Sequence, residues 1–174
     1  MNIDVRILFF LIFFSPFIKS SEYEITILAT NIANFGGVGE WSFSALLESE
    51  NNSILFDTGY DENTVLHNAK LLSKDLSKVE KVILSHFHGD HTGGLIKLRK
   101  TYMAENPDAF SKVYVAKGFF EQRYDVDGNL RGFIGGFNDV NDFLSASTQI
   151  GIEFIIIDEP YQIDKDLILS GPVE

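Results

Sequence analysis

Residues 85–94 read SHFHGDHTGG, and within them His86, His88 and His91 account for three of the chain's four histidines. The apolar run Val82 to Leu84 just before them has strand character, so His86 and His88, two apart at its exit, point to one side of an extended chain. Gly89 then permits a tight turn that returns Asp90 and His91 toward the same region. Nitrogen and oxygen donors of the kind zinc accepts are thereby gathered in one short loop.

Two blander readings compete. A polar loop with no common target is the default at a strand end, yet it does not explain why a chain so poor in histidine concentrates it there. A purely structural metal site is ordinarily enclosed by four protein ligands with much cysteine, whereas the carboxyl edge of a strand is where α/β proteins place active sites. The chain has no cysteine, which excludes disulfides, thiolate ligands and a cysteine nucleophile. Any metal chemistry must use His, Asp or Glu.

Upstream, YEITILAT (Tyr23 to Thr30) alternates apolar and polar residues at period two, as a half-buried strand does. WSFSALLES (Trp41 to Ser49) and SILFDTG (Ser53 to Gly59) read as two more strands around the polar turn Glu50, Asn51 and Asn52, so an antiparallel meander opens the fold. From Asp61 the period changes, and Val65, Leu66, Ala69, Leu72 and Leu76 approximate one helical face. Downstream of the histidines, Leu95, Ile96, Leu98, Tyr102 and Met103 predict a helix ending before Pro107. KVYVAK (Lys112 to Lys117) is a strand, Phe137 to Ile150 a helix, EFIIID (Glu153 to Asp158) a strand, and YQI and LILSG short strands. The order is α/β with mixed pairing.

Three further features carry blander expectations. In the Gly- and aromatic-rich segment 119–136, DVDGNL superficially matches a calcium loop but lacks the acidic ligand six residues after its glycine, so a plain turn is expected. His67, inside the first predicted helix, reads as a surface or packing histidine. Asp57 stands in DTG, a sequence also found in aspartic proteases, where two such carboxylates share a proton. A single copy would need a homodimer and leave the histidines unused, and a third reading has Asp57 cap a turn.

At 174 residues with 45% hydrophobic and 13% aromatic residues, the chain has the material for one globular domain. Its formal charge of -11 leaves no basic stripe for a phosphate backbone, so a small-molecule substrate is expected and general nucleic-acid binding is not. The N-terminus differs from the rest: Arg6 precedes an apolar run, Ile7 to Ile18, too short to span a bilayer comfortably. Residues 1–20 have the layout of a signal peptide cleaved after Ser20, giving a secreted or periplasmic domain over residues 21–174. A retained membrane anchor and a misassigned start are the alternatives, and Asp4 counts mildly against export. Membrane contact is expected only through this segment, if it is uncleaved.

HFHGDH matches the HxHxDH motif of the metallo-β-lactamase-fold hydrolases, with a strand before it and a helix starting at Thr92-Gly93-Gly94 after it. The phrases WSFSALLE, ILFDTG, ILSHFHGDHTGGL and LILSGPV resemble most the branch named for 7,8-dihydropterin-6-yl-methyl-4-(β-D-ribofuranosyl)aminobenzene 5'-phosphate synthase. The resemblance implies a four-layer αββα sandwich with a mixed sheet, here mainly its N-terminal half. It implies His86 and His88 as ligands of a first metal and Asp90 and His91 as ligands of a second. Two zinc ions are the usual occupants, with iron or manganese in relatives. A metal lowers the pKa of its bound water toward about 7, and the hydroxide attacks an ester, thioester, amide or phosphoester. Asp90 would orient the water or shuttle a proton as the catalytic carboxylate, and Asp57 would orient a ligand histidine from behind.

The same resemblance expects a third histidine for the first metal, a bridging aspartate and a last histidine for the second. No histidine follows His91. In the branch it resembles, the next ligand histidine follows the segment matching LILSGPV, so the chain is expected to be an N-terminal portion. The alternative function is an inactive remnant, or a subunit needing a partner chain to complete the site. Asp139, Asp142, Asp158, Asp164 and Asp166 are spare carboxylates outside any recognisable motif.

Overall fold

The computed structural model describes residues 23–50, 52–131, 137 and 139–172. The expected export segment, residues 1–20, lies outside the described residues, and among those described no helix is long and apolar enough to cross a membrane.

The opening meander forms as expected. Strands β1 (Glu24–Ala29), β2 (Ser44–Glu48) and β3 (Ser53–Phe56) pair antiparallel in sequence order. The chain then crosses through α1 (Thr64–Leu71) to β4 (Lys81–Leu84), through α2 (Gly89–Thr92) and α3 (Leu95–Tyr102) to β5 (Lys112–Ala116), and through α4 (Val140–Gln149) to β6 (Glu153–Ile157). Each of β4, β5 and β6 adds parallel to its predecessor, so one six-stranded mixed sheet runs in the order β1-β2-β3-β4-β5-β6. The predicted short strands β7 (Tyr161–Asp164) and β8 (Leu167–Leu169) make a separate hairpin.

Side-chain alternation sorts the sheet into two faces. Leu28, Leu46, Leu55, Val82, Leu84, Val113 and Val115 bury against Val65 and Ala69 of α1, Leu95 and Leu98 of α3 and Phe143 of α4. The interposed Ile54, Ile83, Tyr114 and Ile157 face the other way and pack under Ile163, Leu167 and Leu169 of the β7–β8 hairpin. This double cover is why the central strands read as unbroken apolar runs. Phe110 and Phe143 are fully enclosed in the helix-side core, and truncating either to Ala is expected to cost about 3–5 kcal/mol.

Several expectations are corrected at their edges. Trp41 to Phe43 are not strand, because the Phe43 amide is taken by the Asp90 carbonyl at 3.2 Å. The first helix ends at Leu71, Ser73 adopts φ 56°, and Leu76 reaches the core from a short 3-10 turn capped by Asp75. Leu72 is therefore half exposed rather than on a buried face. Helical geometry begins at Gly89, inside the histidine motif, and not at Thr92. DVDGNL is a turn whose Asp125 carboxylate accepts from the Asp127 and Asn129 amides, spending that oxygen on the backbone.

Candidate metal centre

Parallel pairing of β3 with β4 brings two strand exits together. Phe56 aligns with Ile83, and the next residue, Asp57, donates its amide to the Ile83 carbonyl at 2.8 Å. The chain turns sharply there: Asp57 has φ 54° and is 1% exposed. Its carboxylate accepts from the Ser85 amide at 2.8 Å and the Ser85 hydroxyl at 2.7 Å, and contacts His91 Nδ1 at 2.7 Å. Asp57 therefore both braces a turn and holds a histidine of the cluster. Burial raises the Asp57 carboxyl above its ordinary value, while the Ser85 and His91 contacts pull it back. A buried carboxylate engaged in this way is not the shared-proton dyad of the protease reading.

The loop after β4 bends at residues 85–87, so the chain is not extended from His86 to His88 as expected, and from an extended His88 it closes one helical turn, with the His91 amide on the His88 carbonyl at 3.0 Å. Neighbouring backbone pins this turn from three sides. Thr58 donates to the His91 carbonyl at 2.7 Å, Phe43 to the Asp90 carbonyl at 3.2 Å, and Gly93 to the Gly59 carbonyl at 2.9 Å. Gly93 and Gly94 are small for a reason: a Cβ on either would strike a backbone carbonyl, that of Tyr60 or of Thr58. The DTG and TGG segments thus fit against each other, and the histidine turn is held between them.

The result is a compact donor set. One ligand atom each from His86, Asp90 and His91 lie within 4.8 Å of one another, the one such group among the described residues. Donors around a single tetrahedral zinc sit about 3.4 Å apart, so side-chain movements of about 1 Å would close the set on an ion. The His86 ring lies 4.1 Å from that of His91 and 4.6 Å from that of His88. Burial, then the nearby His91 and His88 rings, hold the His86 imidazole below its ordinary pKa and so favour the neutral, ligand-competent form. With Asp57 on His91 Nδ1, the Nε2 side of that ring is turned toward Asp90, whose Oδ2 is 3.5 Å away. Two imidazoles and a carboxylate, one braced from behind by a buried carboxylate, are a donor set suited to a divalent ion.

Of the residues singled out from sequence, His86, Asp90 and His91 come together with Asp57 behind them. His88 adjoins the group through its ring contact with His86 and is exposed, outside the three-residue set. His67 is exposed on α1 and bonds the Gly36 carbonyl at 2.8 Å, as a surface histidine. Ser85 was not singled out, although its place between strand and motif is a visible signal. Its hydroxyl touches Asp57 and lies 3.0 Å from His86 Nδ1, linking the buried carboxylate to a second ring.

Residues 41–107 match the sequence model of the Metallo-beta-lactamase superfamily. An uncharacterised protein of Methanocaldococcus jannaschii is 36% identical over 149 residues, covering 86% of this chain and 53% of the relative. The 7,8-dihydropterin-6-methyl-4-(beta-D-ribofuranosyl)-aminobenzene-5'-phosphate synthase of the same organism is 36% identical over 95 residues, 51% of this chain and 32% of that one. Among solved structures, Tm1679, a metal-dependent hydrolase of the beta-lactamase superfamily, superposes with a TM-score of 0.61 at 26% identity, covering 88% of this chain and 49% of that one. The chain spans about half the length, or less, of these relatives.

Proposed function

Since the chain belongs to the metallo-β-lactamase superfamily, we propose that it carries the metal-binding loop of a metal-dependent hydrolase acting on an ester, thioester, amide or phosphoester. The observation that supports this most is the convergence of His86, Asp90 and His91 with Asp57 bonded to His91 from behind. Zinc suits these donors best, with iron and manganese as alternatives.

A divalent ion held there makes water acidic enough to act as a nucleophile near neutral pH and offers positive charge to an oxyanion. The chain's own residues do the rest. His86 and His91 would hold the ion through ring nitrogens, and Asp57 fixes the His91 ring by accepting from Nδ1. Asp90 would hold the ion or accept a proton from the attacking water, with His88 close enough to join as a further ligand. The backbone bonds donated by Phe43 and Thr58, and the one Gly59 accepts from Gly93, keep this geometry in place before substrate arrives, which limits reorganisation during reaction.

The formal charge of -11 supports a small-molecule substrate over a nucleic-acid backbone, and the apolar run Ile7 to Ile18 supports export. The test is to load the purified chain with zinc, manganese or iron and screen esters, thioesters, lactams and phosphodiesters, with His91→Ala as control. Turnover that needs metal and His91 supports the reading. Metal binding without turnover favours the second reading, a subunit that needs a partner chain, and absence of metal binding overturns both.

A further inference from the structure

Phe87 stands between His86 and His88, and its ring packs against the helix-side core. It also meets the His88 ring edge-on at 4.6 Å. A residue from a distant loop reaches the same ring: the Arg123 guanidinium carbon lies 3.9 Å from its centroid, well within the roughly 6 Å over which a cation is attracted to an aromatic face.

Arg123 is itself anchored. Its guanidinium donates to the carbonyls of Glu121 at 2.8 Å, Gly118 at 3.0 Å and Phe119 at 3.4 Å, all in the turn that leaves β5. Those bonds engage three of the guanidinium's five N–H donors. They leave the flat face for the ring, a combination that arginine's planar fork permits and lysine's point charge does not. The connection thus runs from the end of β5 through the turn 118–121 and Arg123 to Phe87, and so to the histidines on either side of it.

We propose that Arg123 is a positioning residue for the metal-binding loop: by clamping the Phe87 ring to the β5 turn it sets the direction in which His86 and His88 present their ring nitrogens. The inference rests on the metal-binding reading above, but its test is readable without metal. The first measurement is histidine ring NMR on the metal-free chain, comparing wild type with Arg123→Ala. His86 and His88 signals are expected to shift, and those of His67, bonded to Gly36, to remain. The second is titration with cobalt(II) alone and zinc competition, where Arg123→Ala is expected to change the cobalt absorption bands and weaken zinc on the order of tenfold, as loss of ligand-orienting groups does. Arg123→Lys, which retains a cation for the ring, is expected to recover part of both.

An Arg123→Ala protein with wild-type ring signals, cobalt bands and zinc affinity overturns the proposal. Should that variant fail to fold, Phe87→Leu removes the aromatic face while leaving the carbonyl bonds of Arg123 in place. Because His88 touches the Phe87 ring directly, the His86 signal and zinc affinity are read instead: a His86 shift with weaker zinc binding is expected, and both unchanged overturn the proposal. A wild-type chain that binds no metal refutes the proposed function, while the metal-free ring signals still decide the role of Arg123.

Discussion

Asp57 Oδ2 lies 2.7 Å from His91 Nδ1, across 34 residues of sequence, and joins the exit of β3 to the turn after β4. The contact fixes which nitrogen of His91 is free for an ion and which way it points. Replacing Asp57 by Asn removes the charge and disturbs the acceptor while preserving size. Divalent metal affinity is expected to fall by about 10–100-fold, measured by competition with a chromophoric chelator. Equal affinity in wild type and Asp57→Asn would show that the contact does not orient a ligand.

Gly93→Ala tests the fit between the two halves of the site, DTG and TGG, by a purely steric route. The added methyl would enter the Tyr60 carbonyl, which belongs to backbone and cannot swing aside as a side chain can. The expected loss is about 1–3 kcal/mol of stability, seen in chemical denaturation, together with weaker metal binding. A variant as stable as wild type would mean that the loop after β3 is free to retreat.

Arg99 is 5% exposed and donates to the carbonyls of Ile150 at 2.9 Å, Pro107 at 2.7 Å and Ala109 at 2.6 Å. It ties α3 to the segment before β5 and to the end of α4. Arg99→Met fills the space but strands those acceptors, and a loss of about 3 kcal/mol is expected by urea unfolding. The histidine cluster should be unaffected, so cobalt bands of the folded variant should match wild type.

Asp75 is held below the ordinary carboxylate range by the Ser77 hydroxyl and amide and by Lys78. Its folded value is depressed, so its contribution to stability is complete above the unfolded value of 3.8 and lost as pH falls through the lower folded value. Asp75→Asn should therefore reduce stability near neutral pH, and its deficit should shrink as the solution is acidified below 3.8. Thermal unfolding of both proteins across that range measures the difference. A deficit independent of pH would assign the effect to geometry and not to charge.

The elements that sequence resolved well are those whose burial is one-sided or two-sided in a regular way. Val82 to Leu84 and Val113 to Val115 are covered on both faces, and their apolar runs announce it. Period two marked β1 as a strand and the polar turn after β2 marked the meander, but the burial in β1 does not follow the alternation: Ile25 and Ile27 are exposed, and Leu28 and Ala29 at its end are buried. Boundaries failed where backbone bonds from elsewhere decided them: nothing in Trp41-Ser42-Phe43 reveals that Asp90 takes the Phe43 amide. The left-handed Ser73 that ends α1 early is equally silent in a helical pattern.

At the site, spacing alone brought out His86, His88, Asp90 and His91, because a motif compressed into one turn needs little tertiary information; which three of the four converge, with His88 outside, was not legible. The partner of His91 was a different matter. Asp57 was singled out through resemblance, and only parallel pairing of β3 with β4 puts its carboxylate on Ser85 and His91. Arg123 gave no signal at all, since one of two arginines in a Gly- and aromatic-rich loop has no period and no motif to mark it.

Anomalous scattering from zinc-soaked crystals tests the central claim most directly. The expected result is a peak about 2.0–2.2 Å from ring nitrogens of His86 and His91 and a carboxylate oxygen of Asp90, with Asp57 still on His91 Nδ1. A map with no peak among these residues, from crystals in which zinc is bound elsewhere or not at all, would contradict it.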